Sequence, residues 1–188
     1  MAGARAAPRK LLVFGDSLVA GYGLAAADGF QAQLSRALRA DGLEVVILDG
    51  GVSGDTSADG LARLDWALAD APDAVFLELG ANDALRALDP AQTQANLAQI
   101  LAKLKESRIP VLLTGMEAPP NLGDAYGAQF RAVYTTLAPQ ATLFDPFFLQ
   151  NVAGNPALNQ ADGMHPNPTG VSLEVARLKP LVERLLQH

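Results

Sequence analysis

The sequence predicts an α/β protein, a three-layer α/β/α sandwich on a five-stranded parallel sheet, from three observations. Short apolar runs alternate with longer segments whose leucines recur at helical spacing, which is the signature of βαβ units. The apolar runs are nearly continuous, as in strands covered on both faces. The 188 residues carry no compositional break, linker or repeat, so one domain is expected.

Each element follows in order. Lys10 to Phe14 is the first strand, and Phe30, Leu34 and Leu38 mark the helix after it. Val45 to Leu48 is the second strand. Leu61, Leu64 and Leu68 mark the next helix, with Trp66 expected in the core beside them. Ala74 to Leu79 is the third strand. Asp89-Pro90 reads as an N-cap with proline at the first helical position, ahead of a helix through Leu97, Leu101 and Leu104. Val111 to Thr114 and Ala141 to Phe144 complete the sheet. A last helix follows Asn167-Pro168-Thr169-Gly170 and runs through Val175, Leu178, Leu181 and Leu185. The domain is therefore read as residues 10–188. Residues 1–9, basic and alanine-rich, read as a disordered or trimmed N-terminal segment.

Composition excludes several classes. A chain of this size buries roughly two thirds of its unfolded surface and needs no staples. The absence of cysteine removes disulfides, thiol nucleophiles and thiolate metal sites, and no metal is expected. A net charge of −6 argues against nucleic acid or anionic membrane as a partner. No apolar run approaches the ~20 residues that span a bilayer, so stable membrane insertion is not expected. Met1 to Lys10 lacks the apolar centre of a signal peptide, which leaves cytoplasmic and exported locations both open.

In an open parallel sheet, ligands gather at the carboxyl ends of the strands. Ser17 stands there, at the end of the first apolar run, and is either a nucleophile or the cap of the next helix. The chain has two histidines and one is the terminal His188, so His165 is the candidate base. An imidazole suits that role because it can take a proton and later return it. Asp162, three residues earlier, faces the same turn and is suited to orient the ring; before Gly163 it is equally an ordinary Asx turn. Gly50 to Ser57 and Gly80-Ala81-Asn82-Asp83 also leave strand ends. Backbone N–H groups at Ser17 and Gly54 and the Asn82 amide would serve an oxyanion, although asparagine more often satisfies its own turn. Asp16 and Asp83 flank these segments as substrate-facing candidates or loop supports, and Asp55 reads as a helix cap. Leu85, Leu88, Met116, Leu122 and Met164 are candidates for an acyl pocket or for ordinary packing. The rival reading is a phosphate- or nucleotide-binding module with the Gly51 to Ser57 turn as anion site. No Walker lysine pattern, Gly-x-Gly-x-x-Gly or Gly-x-Ser-x-Gly elbow is present.

Gly15-Asp16-Ser17-Leu18, Gly54 within Val52 to Ser57, Gly80-Ala81-Asn82-Asp83 and Asp162-Gly163-Met164-His165-Pro166 are four blocks in one order. In them the chain resembles the SGNH, or GDSL, hydrolases over nearly its whole length. Ser53 to Ser57, Gly60-Leu61-Ala62-Arg63-Leu64 and Glu78-Leu79-Gly80 resemble the bacterial branch of thioesterases I, arylesterases and lysophospholipases L1. The resemblance implies a flavodoxin-like sheet, the SGNH hydrolase fold, and an open pocket without a large lid. It implies serine ester hydrolysis with Ser17 as nucleophile, His165 as base, Asp162 behind it, and Ser17, Gly54 and Asn82 as oxyanion donors. It implies no cofactor and a periplasmic or secreted location. The expected substrate is a short- to medium-chain aryl or alkyl ester, thioesters included, with lysophospholipids or sugar acetates as alternatives and a monomer as the working unit. Two departures stand out: Ala81 replaces a glycine, and Glu117 to Gly123 is acidic and proline-rich where relatives place basic residues, which weakens the case for anionic acyl-CoA.

Overall fold

Five parallel strands, β1 (Arg9–Gly15), β2 (Val45–Gly51), β3 (Ala74–Glu78), β4 (Val111–Thr114) and β5 (Leu143–Asp145), lie in the order β2-β1-β3-β4-β5 in the computed structural model, which describes residues 7–188. The three inner strands are buried along almost their whole length, which is why their runs are apolar without alternation. The two edge strands depart from that expectation. β2 is mostly half-buried and Val46 is exposed, because the sheet ends there. β1 begins at Arg9, opposite Val45, one residue before the sequence-based start. Ala7 and Pro8 are exposed and in no regular element, and the rest of the expected N-terminal segment lies outside the described residues.

Seven helices complete the layers among the described residues: α1 (Ser17–Ala20), α2 (Phe30–Ala40), α3 (Ser57–Ala67), α4 (Ala81–Leu85), α5 (Pro90–Glu106), α6 (Asp124–Leu137) and α7 (Pro168–Leu185). α2 packs on α7, while α3, α5 and α6 pack in series. Caps fall where the side chains permit. The Asp89 carboxylate accepts from the Ala91 N–H, and the Asn167 carbonyl accepts from the Thr169 and Gly170 N–H groups. Asp55 is not the cap of α3; Thr56 is, in a reciprocal capping box with Asp59.

Sequence periodicity missed α6, whose buried Phe130, Val133, Tyr134 and Leu137 have helical spacing. Gly127 and the β-branched and aromatic residues lower its intrinsic propensity, so burial of that stripe decides its form. The one-turn helices α1 and α4 were too short to carry a pattern. Trp66 corrects a further expectation. The buried face of α3 is Ser57, Gly60, Leu64 and Ala67, and Trp66 lies two residues past Leu64, on the opposite side and 77% exposed.

The rings of Phe30 from α2, Phe76 from β3 and Phe148 beyond β5 meet with centroids 5.2 to 6.2 Å apart and knit sheet to helices. The chain leaves β1 toward one edge to form β2 and returns to the other side for β3. The crevice of this sheet therefore opens at the carboxyl ends of β1 and β3, where Gly15 and Glu78 are cross-strand neighbours.

Burial separates two aromatic residues. Phe76→Ala is expected to cost about 3–5 kcal/mol in urea unfolding. Trp66→Ala is expected to stay within about 0.5 kcal/mol, as an exposed substitution does.

Candidate active site

Asp16 ends β1 and caps α1: its Oδ1 accepts the Leu18 N–H at 3.0 Å. Ser17 is therefore not the cap but the first helical residue, and its hydroxyl is free to face the crevice. Ser17 Oγ lies 2.9 Å from His165 Nε2, and His165 Nδ1 lies 2.6 Å from Asp162 Oδ2. With the ring proton on Nδ1, toward Asp162, Nε2 is left to accept the serine hydroxyl proton.

Both readings of Asp162 hold at once, one on each oxygen. Oδ1 accepts the Met164 and His165 N–H groups at 2.9 and 3.0 Å in an Asx turn, while Oδ2 holds the ring. The His165 N–H, then the Met164 N–H and the imidazole, push this carboxyl down to about 2. Gly163, at φ +70°, makes the turn possible. The turn is closed by the Gln160 N–H donating to the His165 carbonyl. Gln160 Nε2 donates to the carbonyls of Tyr22 and Pro166, and the Tyr22 ring lies 4.7 Å from the imidazole. Sequence reasoning missed Tyr22, which carries no motif of its own.

Of the expected oxyanion donors, the Ser17 and Gly54 N–H groups have no acceptor among the described residues. Gly54 holds φ +90°, which is the reason for glycine there; a Cβ would meet open space. Asn82 lines the same cavity, but its Nδ2 donates to Asp16 Oδ2 at 3.2 Å and to the Asp55 carbonyl at 2.9 Å. Both amide hydrogens are thus engaged. Ala81 starts α4 with no penalty, since the left-handed residue is Gly80 before it.

The loop that carries Gly54 is anchored from below. Arg63, a surface helix residue by its pattern, turns inward over the Phe14 ring at 4.0 Å. It donates to Asp55 Oδ2 at 2.5 Å and to the Gly15 carbonyl at 3.0 Å, so one guanidinium ties the second block to the first. Arg86 donates to the Gly54 carbonyl at 2.9 Å.

The crevice is a cavity of about 700 Å³, lined by Ser17, Gly54, Asn82 and His165 together with Leu85, Met116 and Met164 of the expected acyl pocket. Leu18 of α1 adds apolar wall, and so do Phe147, Leu149 and Ala153, which the sequence did not reveal because the segment after β5 has no periodicity. Leu88 and Leu122 do not line it. Neither do Asp16 and Asp83, which are buried beneath the loops and correct the expectation that they face substrate. Asp83 accepts from the Ser57 N–H at 2.8 Å and from the Ser57 and Thr93 hydroxyls. That carboxylate occupies the N-terminus of α3, the place a phosphate would need under the rival reading. Glu117 is the one carboxylate on the cavity wall among the described residues. No grouping of ligands suited to a metal ion occurs among the described residues, and no helix there is long and apolar enough to cross a membrane.

A sheet of this order, with serine, histidine and aspartate in hydrogen-bond sequence at its carboxyl edge, is the arrangement of the SGNH hydrolase fold. The chain belongs to the GDSL-like lipase/acylhydrolase family, whose model matches residues 13–173. It is 44% identical over 164 residues to a Pseudomonas aeruginosa protein named esterase TesA, covering 86% of this chain and 82% of the relative. It is 38% identical over 186 residues to the Escherichia coli thioesterase 1/protease 1/lysophospholipase L1, covering 94% and 86%. Among solved structures, AlinE4, an SGNH-hydrolase family esterase, matches with a TM-score of 0.81 at 43% identity over 96% of this chain and 98% of that one.

The depressed Asp162 carboxyl fixes a pH dependence. Its ordinary value is near 4, so the stability it contributes is present above pH ~4 and is lost as pH falls toward 2. The gap in Tm between the natural protein and Asp162→Ala should narrow steadily as pH falls below 4.

Proposed function

We propose that this chain is a serine esterase acting on short- to medium-chain aryl and alkyl esters, with thioesters in its range. The observation that carries this is the Ser17–His165–Asp162 hydrogen-bond sequence at the wall of a mostly apolar cavity. Ser17 Oγ attacks the acyl carbonyl as His165 Nε2 takes its proton, and Asp162 stabilises the imidazolium. The oxyanion receives the Ser17 and Gly54 N–H groups. Asn82 serves it by turning the amide hydrogen on the Asp55 carbonyl toward the oxyanion while Asp16 holds the other. Collapse expels the alcohol or thiol, which takes the proton from His165. Water, deprotonated by the same ring, then attacks the acyl-serine; collapse releases the carboxylic acid, and Ser17 Oγ takes the proton back from His165.

A volume of about 700 Å³ suits a medium acyl chain with its leaving group. Glu117 on the wall opposes polyanionic leaving groups, which favours neutral esters over acyl-CoA. Every group named comes from one chain, so a monomer suffices. An exported location belongs to the same proposal, on the strength of the family resemblance.

A p-nitrophenyl ester series from acetate to palmitate is the test. Activity should peak at an intermediate length and vanish in Ser17→Ala and His165→Ala, with Tm nearly unchanged in both. Asn82→Ala should lower kcat ~10²–10³-fold with a smaller change in KM. Equal rates in natural protein and Ser17→Ala would reject the mechanism.

A further inference from the structure

Asp16, Glu78 and Glu174 are buried acidic side chains that take no part in the hydrolysis just described, the last on the inner face of α7. The Glu78 carboxyl sits in space reserved by its cross-strand neighbour, since a Cβ on Gly15 would stand 2.7 Å from Glu78 Oε2. That oxygen accepts the Asp16 N–H at 3.3 Å, and Asp16 Oδ2 accepts the Asn82 amide at 3.2 Å. A continuous chain of contacts thus runs from the sheet interior to the cavity wall. Among the described residues, Glu78 Oε1 and both Glu174 carboxyl oxygens lack a hydrogen-bond partner.

The charged and titratable surroundings supply no bonded counterion to Glu78. Asp16 approaches from the β1–α1 junction and Glu174 from α7, both acidic. Arg177, also on α7, attracts Glu174 but is committed to Asp145 and to the Phe147 and Phe148 carbonyls. Tyr134 of α6 gives its hydroxyl proton to the Leu79 carbonyl, and His165 acts at a distance on Asp16. Bare carboxylates in such a place are strongly disfavoured, whereas a protonated carboxyl both donates and accepts.

We propose that Glu78 is a positioning residue that works as a neutral, protonated carboxyl, holding Asp16 and through it the Asn82 amide. Burial, followed by the neighbouring Asp16, pushes Glu78 well above the usual carboxylate range; burial carries Asp16 only to about 6 and Glu174 to about 8. A neutral Glu78 then stands beside the Asp16 carboxylate. Ionisation of Glu78 as pH rises sets two carboxylates against each other, displaces Asp16 and releases Asn82.

The proposal rests on the esterase reading, so its test has one arm that does not use activity. In the ligand-free protein at pH 7, the infrared spectrum should show a protonated-carboxyl C=O band that Glu78→Gln removes. In kinetics with p-nitrophenyl butyrate, kcat should fall at alkaline pH in the natural protein. Glu78→Ala should lower kcat ~10–100-fold at pH 7 with little change in KM. Glu78→Gln, which copies the neutral carboxyl, should restore most of that loss and abolish the alkaline fall. A Gln variant as impaired as the Ala variant, or no Glu78-dependent band, would overturn the proposal. An inactive natural protein that still shows the band would instead sink the esterase reading alone.

Discussion

One carboxylate without exposed surface, Asp16, is the contact on which the rest of the site depends. It stands where β1 must stop and α1 must start, and each of its polar atoms has a separate duty. Oδ1 caps α1 and so sets the direction of Ser17; Oδ2 holds the side chain of Asn82; the backbone N–H rests on Glu78. Burial makes each of these bonds costly to lose, because no water stands ready to replace the missing partner. The first block, the third block and the interior of the sheet are thereby fixed relative to one another.

The second block is held by different means. Its loop is irregular and carries Gly54 in a left-handed conformation, so its backbone has little regular bonding of its own. Side chains supply what is missing: Arg63 from α3, Arg86 after α4, and the Asn82 amide each grip the 54–55 segment. Asp83 performs the same service for the start of α3. The acidic residues that crowd this edge are thus mostly framework. Asp16 and Asp83, which contact backbone N–H groups, do not line the cavity, which leaves Glu117 as the one carboxylate on its wall among the described residues.

The fourth block is built almost entirely from local contacts. Asp162 binds the backbone two and three residues ahead with one oxygen and the imidazole with the other. A histidine mounted this way has a fixed ring plane before any substrate arrives, and the Tyr22 ring limits its remaining freedom. The cavity sits between this rigid turn and the framework beneath Ser17, so substrate contacts two preassembled halves.

From hydrophobic period, which is written locally, the amino-acid sequence shows the layered α/β architecture and the five strands to within a few residues. Through four short blocks in one order and the family they resemble, it also marks Ser17, Gly54, Asn82, Asp162 and His165 as one candidate set. It did not reveal α6, whose helical state depends on burial of Phe130 and Tyr134, or the exposure of Trp66, which depends on which side of α3 meets the sheet. Nor could it tell Asp16 and Asp83, buried supports, from acids that face a substrate. Those features emerge from long-range packing, as do the inward turn of Arg63, the engaged hydrogens of Asn82 and the apolar wall from Phe147 and Leu149. Each is set by packing between segments far apart in the chain, and no local pattern encodes which distant side chain will fill the space opposite.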